Sequence, residues 1–268
     1  MTTPGAFDAL APAYDVDFTN TTLGRWLRQR VWDVLSTCLR PGQHVLELAC
    51  GTGEDAVWLA RQGLWLTATD GSAAMLAVAR GKAQAAGVDQ QIVFQFLDLS
   101  TLGQRRWQPE NTVAGLPFDG VLSNFGGLNV LGDWRPLAQA LAELVRPGGW
   151  VVLAPMGPFC PWEMAWHLAH ADLRTAFRRL HGPAEAVIGD VRLPIHYPGA
   201  GRMRRDFAPW FRVEQVQSLG LWLPPSYLSH LVDRFPGLFT RLARLETRTA
   251  RLSRGLGDHY LLLLRRAG

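Results

Sequence analysis

The chain has 268 residues, of which 48% are hydrophobic, and a formal net charge of +4 at pH 7. This length fits a single α/β domain with insertions, and the hydrophobic fraction suffices for a buried core. The first residues have neither the basic start nor the apolar run of a signal peptide, and no apolar stretch approaches the roughly 20 residues that span a bilayer. The three widely spaced cysteines favour neither a disulfide framework nor a zinc site. We therefore expect a cytoplasmic protein without stable membrane insertion and without a metal.

The positive charge is concentrated in the last part of the chain. Residues 168–268 carry 16 basic and 8 acidic side chains, and Lys82 is the only lysine of the whole sequence. A basic C-terminal part could face an anionic substrate, a membrane surface or a partner. Arginines on solvated helix faces would leave the same pattern, because their long stems cover apolar surface while the charge stays in water.

An irregular N-terminal arm precedes a regular alternation of strands and helices. Residues 1–20 lack a regular pattern, and Thr21 or Thr22 can cap a helix that runs to about Leu39. Further on, strands are predicted at 45–49, 64–69, 92–97, 118–123 and 150–154, and helices at 54–61, 73–86 and 133–145. Repeated strand–helix units of this length predict a parallel sheet with helices on both faces.

The alternation breaks after Pro155. Residues 156–207 are rich in Pro, Trp, His and Arg and include a helical segment near 163–180. Because ligands bind at the carboxyl ends of parallel strands, an insertion there predicts a substrate lid. A strand at 211–217, an amphipathic helix at 235–254 and a strand at 260–264 follow. We expect one domain made of a helical arm (1–40), a cofactor-binding core (41–155), the lid insertion (156–207) and C-terminal strands and helix (208–268).

Polar residues follow three of the predicted strands. The first strand runs into the turn Gly51-x-Gly53, the second ends at Asp70, and the third ends at Asp98. The carboxyl ends of parallel strands share one edge of the sheet, so these groups should lie together. Asp70 falls near the spacing at which a carboxylate accepts hydrogen bonds from ribose hydroxyls. Although an aspartate after a strand is often only a helix cap, the three positions together predict a nucleoside-containing ligand.

Two classes of ligand fit this edge. The run Gly51-x-Gly53-x-x-Ala56 satisfies the dinucleotide fingerprint, so a nicotinamide-dependent oxidoreductase is an alternative. Two features oppose it. Glu47 lies inside the first strand, where dinucleotide-binding strands are usually apolar, and about 44 residues precede that strand, whereas dinucleotide domains commonly begin with it.

The run Val45–Gly53 resembles the first motif of the class I S-adenosylmethionine-dependent methyltransferases. The resemblance continues through four further segments, Thr69–Leu76, Phe96–Asp98, Phe118–Val121 and Leu144–Gly149. The arm Phe7–Asp15 is similar to the start of small-molecule members such as the ubiquinone/menaquinone-biosynthesis methyltransferases. The resemblance covers about residues 7–155 well and the last two strands loosely, whereas residues 156–207 match no usable pattern.

This resemblance implies an α/β, Rossmann-like doubly wound sheet of seven strands in the order 3-2-1-4-5-7-6, with the last strand antiparallel and a helical insertion after strand 5. It implies S-adenosyl-L-methionine as cofactor and S-adenosyl-L-homocysteine as product. The residues implied to bind the cofactor are Tyr14 at its carboxylate, Glu47 at its amino end, Ala49, Gly51 and Gly53 at the turn, Asp70 and Gly71 at the ribose, Met75, Asp98 and Leu99 at the adenine, and Asn124 and Phe125 near the methyl donor.

The acceptor is expected to be a small organic molecule, with an apolar or aromatic one slightly favoured by the aromatic residues of the insertion. A hydroxyl acceptor would need a general base. His196 and Tyr197 are the first candidates, because they lie in a Pro-flanked loop of the insertion. A nucleic-acid acceptor is not expected, since the segment after strand four, Ser123–Gly126, lacks the Asn/Asp-Pro-Pro-aromatic run of base-amino methyltransferases. A non-catalytic S-adenosylmethionine-binding protein remains an alternative, and the oligomeric state stays open.

Overall fold

The computed structural model describes residues 5, 7–102, 107, 109, 117–188 and 191–268. Its strands are β1 (His44–Leu48), β2 (Trp65–Asp70), β3 (Ile92–Phe96), β4 (Phe118–Ser123), β5 (Val145–Leu153), β6 (Ala184–Ile188), β7 (Val191–Ile195), β8 (Phe211–Leu219) and β9 (His259–Arg266). Its α-helices are α1 (Thr22–Cys38), α2 (Glu54–Arg61), α3 (Ala73–Ala85), α4 (Leu99–Leu102), α5 (Arg135–Leu144), α6 (Pro161–Ala169), α7 (Leu173–Ala176), α8 (Ala200–Phe207), α9 (His230–Arg234) and α10 (Pro236–Thr249).

Seven of these strands form one sheet in the order β3-β2-β1-β4-β5-β9-β8. The pairs among β1 to β5 are parallel, whereas β9 runs antiparallel to both β5 and β8. When only the strands of this sheet are counted, β8 is the sixth and β9 the seventh. The order 3-2-1-4-5-7-6 with an antiparallel last strand, predicted from the sequence, is therefore confirmed.

Alternation along each strand divides the core between the two faces of the sheet. In β1, Val45 belongs to a cluster with α1, α2 and α10, whereas Leu46 and Leu48 belong to a cluster with α5 and α8. This follows from the two-residue period of a strand, which sends successive side chains to opposite faces. Helices therefore cover both faces, as a parallel sheet requires. In the part of the chain that is described, no helix combines the length and the apolar character needed to cross a bilayer.

The insertion after β5 is not purely helical, which corrects the sequence-based description. It contains α6, α7 and α8, but also an antiparallel hairpin in which β6 pairs with β7. Pro194 lies inside β7, and proline lacks the N–H needed for a central strand. In a two-stranded sheet both strands are edge strands, so this proline is tolerated. The same proline argues against a strand when only the sequence is considered.

Two element boundaries near β5 also differ from the prediction. Helix α5 begins at Arg135 with Trp134 at its cap, and the carboxylate of Asp133 accepts a hydrogen bond from the Arg135 N–H at 3.1 Å. Asp133 therefore lies outside the helix instead of opening it. Strand β5 begins at Val145 and includes the Pro147–Gly149 turn, so it is longer than the apolar run alone indicated.

A buried ionic network fixes the insertion to the end of the sheet. The guanidinium of Arg179 donates to Glu163 at 2.9 Å and to the carboxylate of Asp258 at 2.7 Å, and Arg178 also pairs with Glu163. Although burial opposes ionisation, His259 and Arg179 hold the pKa of Asp258 below its usual range. The network therefore joins α6, the turn after α7 and the residue that precedes β9.

Glu163→Ala should destabilise the protein strongly, because it leaves the buried Arg179 with one carboxylate fewer. Removing one member of a buried ion pair costs about 3–5 kcal/mol of unfolding free energy. Denaturant unfolding of Glu163→Ala beside Glu214→Ala measures the effect. Glu214 pairs with the exposed Arg212, so its loss should cost under about 1 kcal/mol. Equal losses in the two variants would contradict a structural role for the buried network.

Candidate functional site

A cavity of about 230 Å³ lies at the carboxyl edge of the parallel strands. It is lined by Ala49 after β1, Asp70 at the end of β2, Leu97 after β3 and Asn124 after β4. The strand ends thus converge on one space, as expected for the crevice of an open α/β sheet.

The two glycines of the turn after β1 serve different purposes. Gly51 has φ +54°, lines the cavity, and has no atom within 4 Å of the position where a side chain would begin. A Cβ there would project into open space that a ligand can use instead. Gly53 has φ +76°, and its Cβ would lie 2.7 Å from the Cβ of Ala79 in α3. Gly53 therefore allows α2 and α3 to approach closely and does not line the cavity.

Asp70 is held by backbone donors at the end of β2. Its Oδ2 accepts a hydrogen bond from the Gly51 N–H at 2.8 Å, and its Oδ1 accepts one from the Ser72 N–H at 2.9 Å. Burial raises the pKa of Asp70, and these two donors oppose that shift. Because each carboxylate oxygen can accept a second hydrogen bond, Asp70 can still bind a pair of ligand hydroxyls.

Most of the residues predicted to bind a cofactor do line this cavity. They are Tyr14, Ala49, Gly51, Asp70, Gly71, Met75, Asp98, Leu99, Asn124 and Phe125. Glu47 and Gly53 do not. The Glu47 carboxylate is buried below the turn, and its Oε2 has no hydrogen-bond partner in the described part of the chain. Burial, followed by the nearby charge of Asp55, raises the pKa of Glu47 well above its usual range.

A buried polar network that sequence reasoning missed lies beside the turn. Asp55, in the first turn of α2, accepts hydrogen bonds from Arg28 at 2.5 Å, Trp32 at 2.7 Å and Asn124 at 3.0 Å. Arg28 is itself buried, and its Nε has no partner among the described residues. A small cavity of about 30 Å³ is lined by Arg28, Tyr14 and Asp55 among others. A buried guanidinium with a free N–H beside a cavity can bind an anionic group.

One sequence signal could have identified Arg28. It lies on the apolar stripe of α1, between Leu27 and Val31, where every neighbour on that face is buried. A charged residue on a core-facing stripe is uncommon unless it is paired, so it marks a buried partner or a ligand.

Residues 7–20, which belong to the N-terminal arm, cover the cavity beyond the edge of the sheet. Asp15 accepts a hydrogen bond from Thr52 at 2.7 Å and pairs with Lys82 at 2.8 Å, which ties the arm to the glycine turn and to α3. Asp8 accepts a hydrogen bond from the hydroxyl of Ser72. Phe7 and Leu10, which lie between these anchors or next to them, line the cavity.

Phe125 occupies a backbone conformation that is unusual for a residue with a side chain. Its φ is +46°, which costs on the order of 1–3 kcal/mol outside glycine. The ring packs edge-on against Phe18 at 4.9 Å and His259 at 5.7 Å, and the guanidinium of Arg28 lies 4.9 Å from its centroid. These contacts hold the strained residue in the cavity wall, next to Asn124.

The remaining wall of the cavity is apolar and comes largely from the insertion. Leu193 and Ile195 of β7 face Val130 from the loop after β4 and Met156 from the end of β5. Sequence reasoning predicted an apolar lid but not these four residues, because the hairpin itself was not recognised. In the sheet order β3-β2-β1-β4, Asp98 and Asp70 lie at the ends of the strands on one side of the cavity, whereas the residue after β7 is hydrogen-bonded to the segment after β4 on the other side. The carboxylates and the apolar wall therefore line different parts of the cavity.

Asn129 joins the segments that carry this apolar wall. Its side-chain amide donates to the carbonyl oxygens of Met156 and His196, and its Oδ1 accepts from the Met156 N–H at 2.9 Å. Its own carbonyl accepts from the His196 N–H at 2.7 Å. One fully buried amide therefore sets the separation between the loop after β4, the end of β5 and the residue after β7.

The side chains of His196 and Tyr197 do not line the cavity. The ring of His196 lies against Gly132 and Trp134, and burial and the charge of Arg202 lower its pKa. The ring of Tyr197 lies 5.0 Å from the guanidinium of Arg179, and burial raises its pKa. The structure therefore does not bring these two side chains together with the residues predicted to bind the cofactor, and their catalytic role stays a prediction.

Gly127→Ala should disturb the cavity wall through one neighbour, because the added Cβ would lie 2.4 Å from the Cβ of Ala49. Such overpacking costs about 1–3 kcal/mol. Ala49 has φ +54°, a value that glycine adopts freely, so Ala49→Gly alone should be close to neutral and should restore Gly127→Ala. A double-mutant cycle of unfolding free energies measures this coupling. Additive effects would show that the two residues do not limit each other.

The chain resembles known methyltransferases in sequence. Residues 45–149 match a family model described as a methyltransferase domain. The chain is 32% identical over 158 residues to a demethylmenaquinone methyltransferase of Symbiobacterium thermophilum, covering 57% of this chain and 59% of that protein. It is 34% identical over 158 residues to the demethylmenaquinone methyltransferase of Renibacterium salmoninarum, covering 57% of this chain and 60% of that protein. The chain thus spans about three fifths of the length of these relatives.

Solved structures share the fold. An S-adenosylmethionine-dependent methyltransferase from Mesorhizobium loti superimposes with a TM-score of 0.54 at 20% identity, covering 88% of this chain and 97% of that one. A chain from the structure titled "Conversion of a Disulfide Bond into a Thioacetal Group during Echinomycin Biosynthesis" gives a TM-score of 0.56 at 24% identity, covering 99% and 93%. The resemblance carried by the motifs is therefore confirmed: residues 45–149 match a methyltransferase domain, and the chain resembles the class I S-adenosylmethionine-dependent methyltransferases of menaquinone biosynthesis.

Proposed function

We propose that this chain transfers the methyl group of S-adenosylmethionine to a small apolar acceptor. The observation that carries the proposal is the two-ended cavity. Asp70 and Asp98 line the part of the cavity at the ends of β2 and β3, Leu193 and Ile195 line the part beside the segment after β4, and Phe125 lies in the wall. Such a space suits a polar nucleoside cofactor facing an apolar substrate.

The donors and acceptors of the cavity suit this cofactor. Asp70 accepts from the ribose hydroxyls, and Gly51 allows the ligand to lie against the backbone of the turn. Met75 covers the adenine, whose edge meets Asp98 and the Leu99 backbone. These roles are supported by the cavity lining and by the open space beside Gly51.

Arg28 and Tyr14 extend the proposed site to the amino-acid part of the cofactor. Both line the small cavity beside the turn, and the Nε of Arg28 has no hydrogen-bond partner among the residues that the structure describes. Burial raises the pKa of Tyr14, so its hydroxyl stays protonated at neutral pH and can donate to a carboxylate. Glu47, still proposed at the amino end, lies buried just below the turn.

The chemistry then depends mainly on position. When bound, the sulfonium of the cofactor supplies a methyl group that is already electrophilic. The residues of this chain orient the two ligands and exclude water. Proximity alone can lower the activation barrier of methyl transfer by several kcal/mol. The N-terminal arm covers the cofactor end, and the β6–β7 hairpin serves as the lid over the acceptor end. The proposal keeps the division of one domain into a helical arm (1–40), a cofactor-binding core (41–155), a lid (156–207) and C-terminal strands and helix (208–268).

The acceptor wall formed by Val130, Met156, Leu193 and Ile195 offers no general base. An acceptor that is already ionised or intrinsically nucleophilic suits it best. The curated relatives are named as demethylmenaquinone methyltransferases, which supports an apolar aromatic acceptor here. The proposal keeps the sequence-based expectations of a small-molecule substrate, no nucleic-acid acceptor and a cytoplasmic location.

Calorimetry of ligand binding tests the cofactor. S-adenosylhomocysteine should bind in the micromolar range and NADH should not, because the buried Glu47 interrupts the strand before the glycine turn, where dinucleotide-binding strands are usually apolar. Asp70→Ala should lose most of this affinity. Asp119→Ala is the matched control, since Asp119 lies at the opposite end of β4 and hydrogen-bonds His44 and Arg146. NADH binding without S-adenosylhomocysteine binding would favour the oxidoreductase alternative.

Transfer of a labelled methyl group tests the enzyme against a non-catalytic binding protein. Incubated with labelled S-adenosylmethionine and a lipid-soluble cell extract, the protein should produce labelled product that depends on Asp70. Cofactor binding with no transfer to any fraction of the extract would support the non-catalytic alternative.

Glu47→Gln should separate stability from cofactor affinity. The pKa of Glu47 is raised in the folded protein, so folding is favoured when it is protonated. The stability that protonated Glu47 contributes is complete below a pH of about 4.3, the ordinary pKa of a glutamate. It is lost as the pH rises through the raised pKa of Glu47 in the folded protein. Glu47→Gln should therefore be more stable than the parent at pH 7, with a flatter pH profile of unfolding, yet bind S-adenosylhomocysteine more weakly. Unchanged affinity would remove Glu47 from the proposed site.

A further inference from the structure

The exposed side of α10 is strongly basic and has no acidic side chain. Residues 234–256 contain six arginines and one acidic residue, Glu246. Glu246 is buried, and its carboxylate accepts hydrogen bonds from the backbone N–H groups of Gly220 and Trp222 at 2.9 Å. The single negative charge of the segment therefore faces the core, and the outer side carries only positive charge.

Four of these arginines form one continuous surface, which we call the basic face: Arg241, Arg244, Arg248 and Arg251. Arg241, Arg244 and Arg248 are spaced three and four residues apart, which places them on the same side of α10, and Arg251 follows in the turn after the helix. All four are exposed, and none forms an ion pair with another described residue. Exposed arginines elsewhere do find acidic partners, as Arg192 does with Glu185 and Arg212 with Glu214.

Large apolar side chains border the basic face. Leu238 is 53% exposed, Leu252 is 81% exposed, and the partly exposed Leu245 lies between them at a spacing of seven residues. Seven residues are nearly two helical turns, so Leu238 and Leu245 form a row beside the arginines of α10, and Leu252 follows in the turn that is hydrogen-bonded to the end of the helix. Phe235, at the start of the helix, adds a ring that is 49% exposed. Exposed leucines do not stabilise a helix that contacts only solvent, because their apolar surface stays in water.

We propose that the basic face and this leucine row dock the protein on the surface of an anionic lipid bilayer. Arginine stems can lie along apolar surface while their charged ends stay at the headgroups. The leucines and Phe235 would then enter the boundary between headgroups and acyl chains. A nucleic acid would use the arginines but leave the leucines in water, so the combination favours the bilayer. The contact is peripheral and is independent of the proposed methyl transfer.

Co-sedimentation with lipid vesicles tests the proposal. The full chain should bind vesicles of phosphatidylglycerol and phosphatidylcholine, bind pure phosphatidylcholine weakly, and release as salt is raised. Each basic residue near an anionic surface strengthens binding about fivefold, so Arg244→Ala/Arg248→Ala should weaken it roughly 25-fold. The matched control is Arg192→Ala/Arg212→Ala, which removes the same charge outside the basic face and should bind like the parent.

Leu252→Ala separates the apolar part of the contact from the charges. It should weaken vesicle binding several-fold while leaving the salt dependence unchanged. Since all these side chains are exposed, the variants should unfold at the parent temperature, and affinity for S-adenosylhomocysteine should not change. Equal binding to both kinds of vesicle, parent-like binding of Arg244→Ala/Arg248→Ala, or tighter binding to a DNA or RNA duplex than to anionic vesicles would overturn the proposal.

Discussion

A buried carboxylate, that of Asp55, joins the segments that meet behind the glycine turn. It accepts hydrogen bonds from Arg28 and Trp32 on α1 and from Asn124 at the end of β4, while it belongs to the first turn of α2. A buried charge is tolerated only when it is compensated and fully hydrogen-bonded, so these partners hold one another in place. The position of Asn124 in the cavity wall, and of the strained Phe125 after it, therefore depends on a residue that does not line the larger cavity.

The two ends of the cavity are built by different means. The proposed cofactor end uses the edge of a parallel sheet, where the Asp70 carboxylate accepts hydrogen bonds from the backbone N–H groups of Gly51 and Ser72. The proposed acceptor end uses an insertion that is held by the amide of Asn129 next to the hairpin and by the ionic network of Glu163 and Arg179. A change in the insertion can thus alter the acceptor without disturbing the methyl donor. This division fits a chain in which the match to the methyltransferase family model ends at residue 149, before the insertion at 156–207.

The sequence predicted the sheet, and most of the residues that line the cavity at its edge, because local signals determine them. Glycines with positive φ, a serine cap before α3 and the alternation of β1 are readable from a few neighbouring residues. The hairpin was not readable, because Pro194 argues against a strand unless its edge position is known. Arg28 was missed for a related reason: its partner Asp55 is 27 residues away, and only the fold brings α1 against the first turn of α2. The apolar stripe of α1 marks Arg28 as unusual, but the local sequence does not indicate which residue is its partner.

His196 was predicted as a general base, yet its side chain does not line the cavity. A histidine in a loop of the insertion satisfies every local criterion for a base, yet its backbone, not its ring, meets the site through Asn129. Which way a side chain faces depends on the packing of Trp134 and Gly132, which the local sequence does not describe. The chemical part of the acceptor end was thus the least predictable feature of the chain.

A crystal structure with S-adenosylhomocysteine tests the central claim most directly. The account predicts that the ribose hydroxyls meet Asp70, that the carboxylate lies within hydrogen-bond distance of Arg28, and that the sulfur faces the wall formed by Val130, Met156 and Ile195. A sulfur atom that points away from this wall, or a ligand bound outside the cavity, would contradict the assignment of a donor end and an acceptor end to one site.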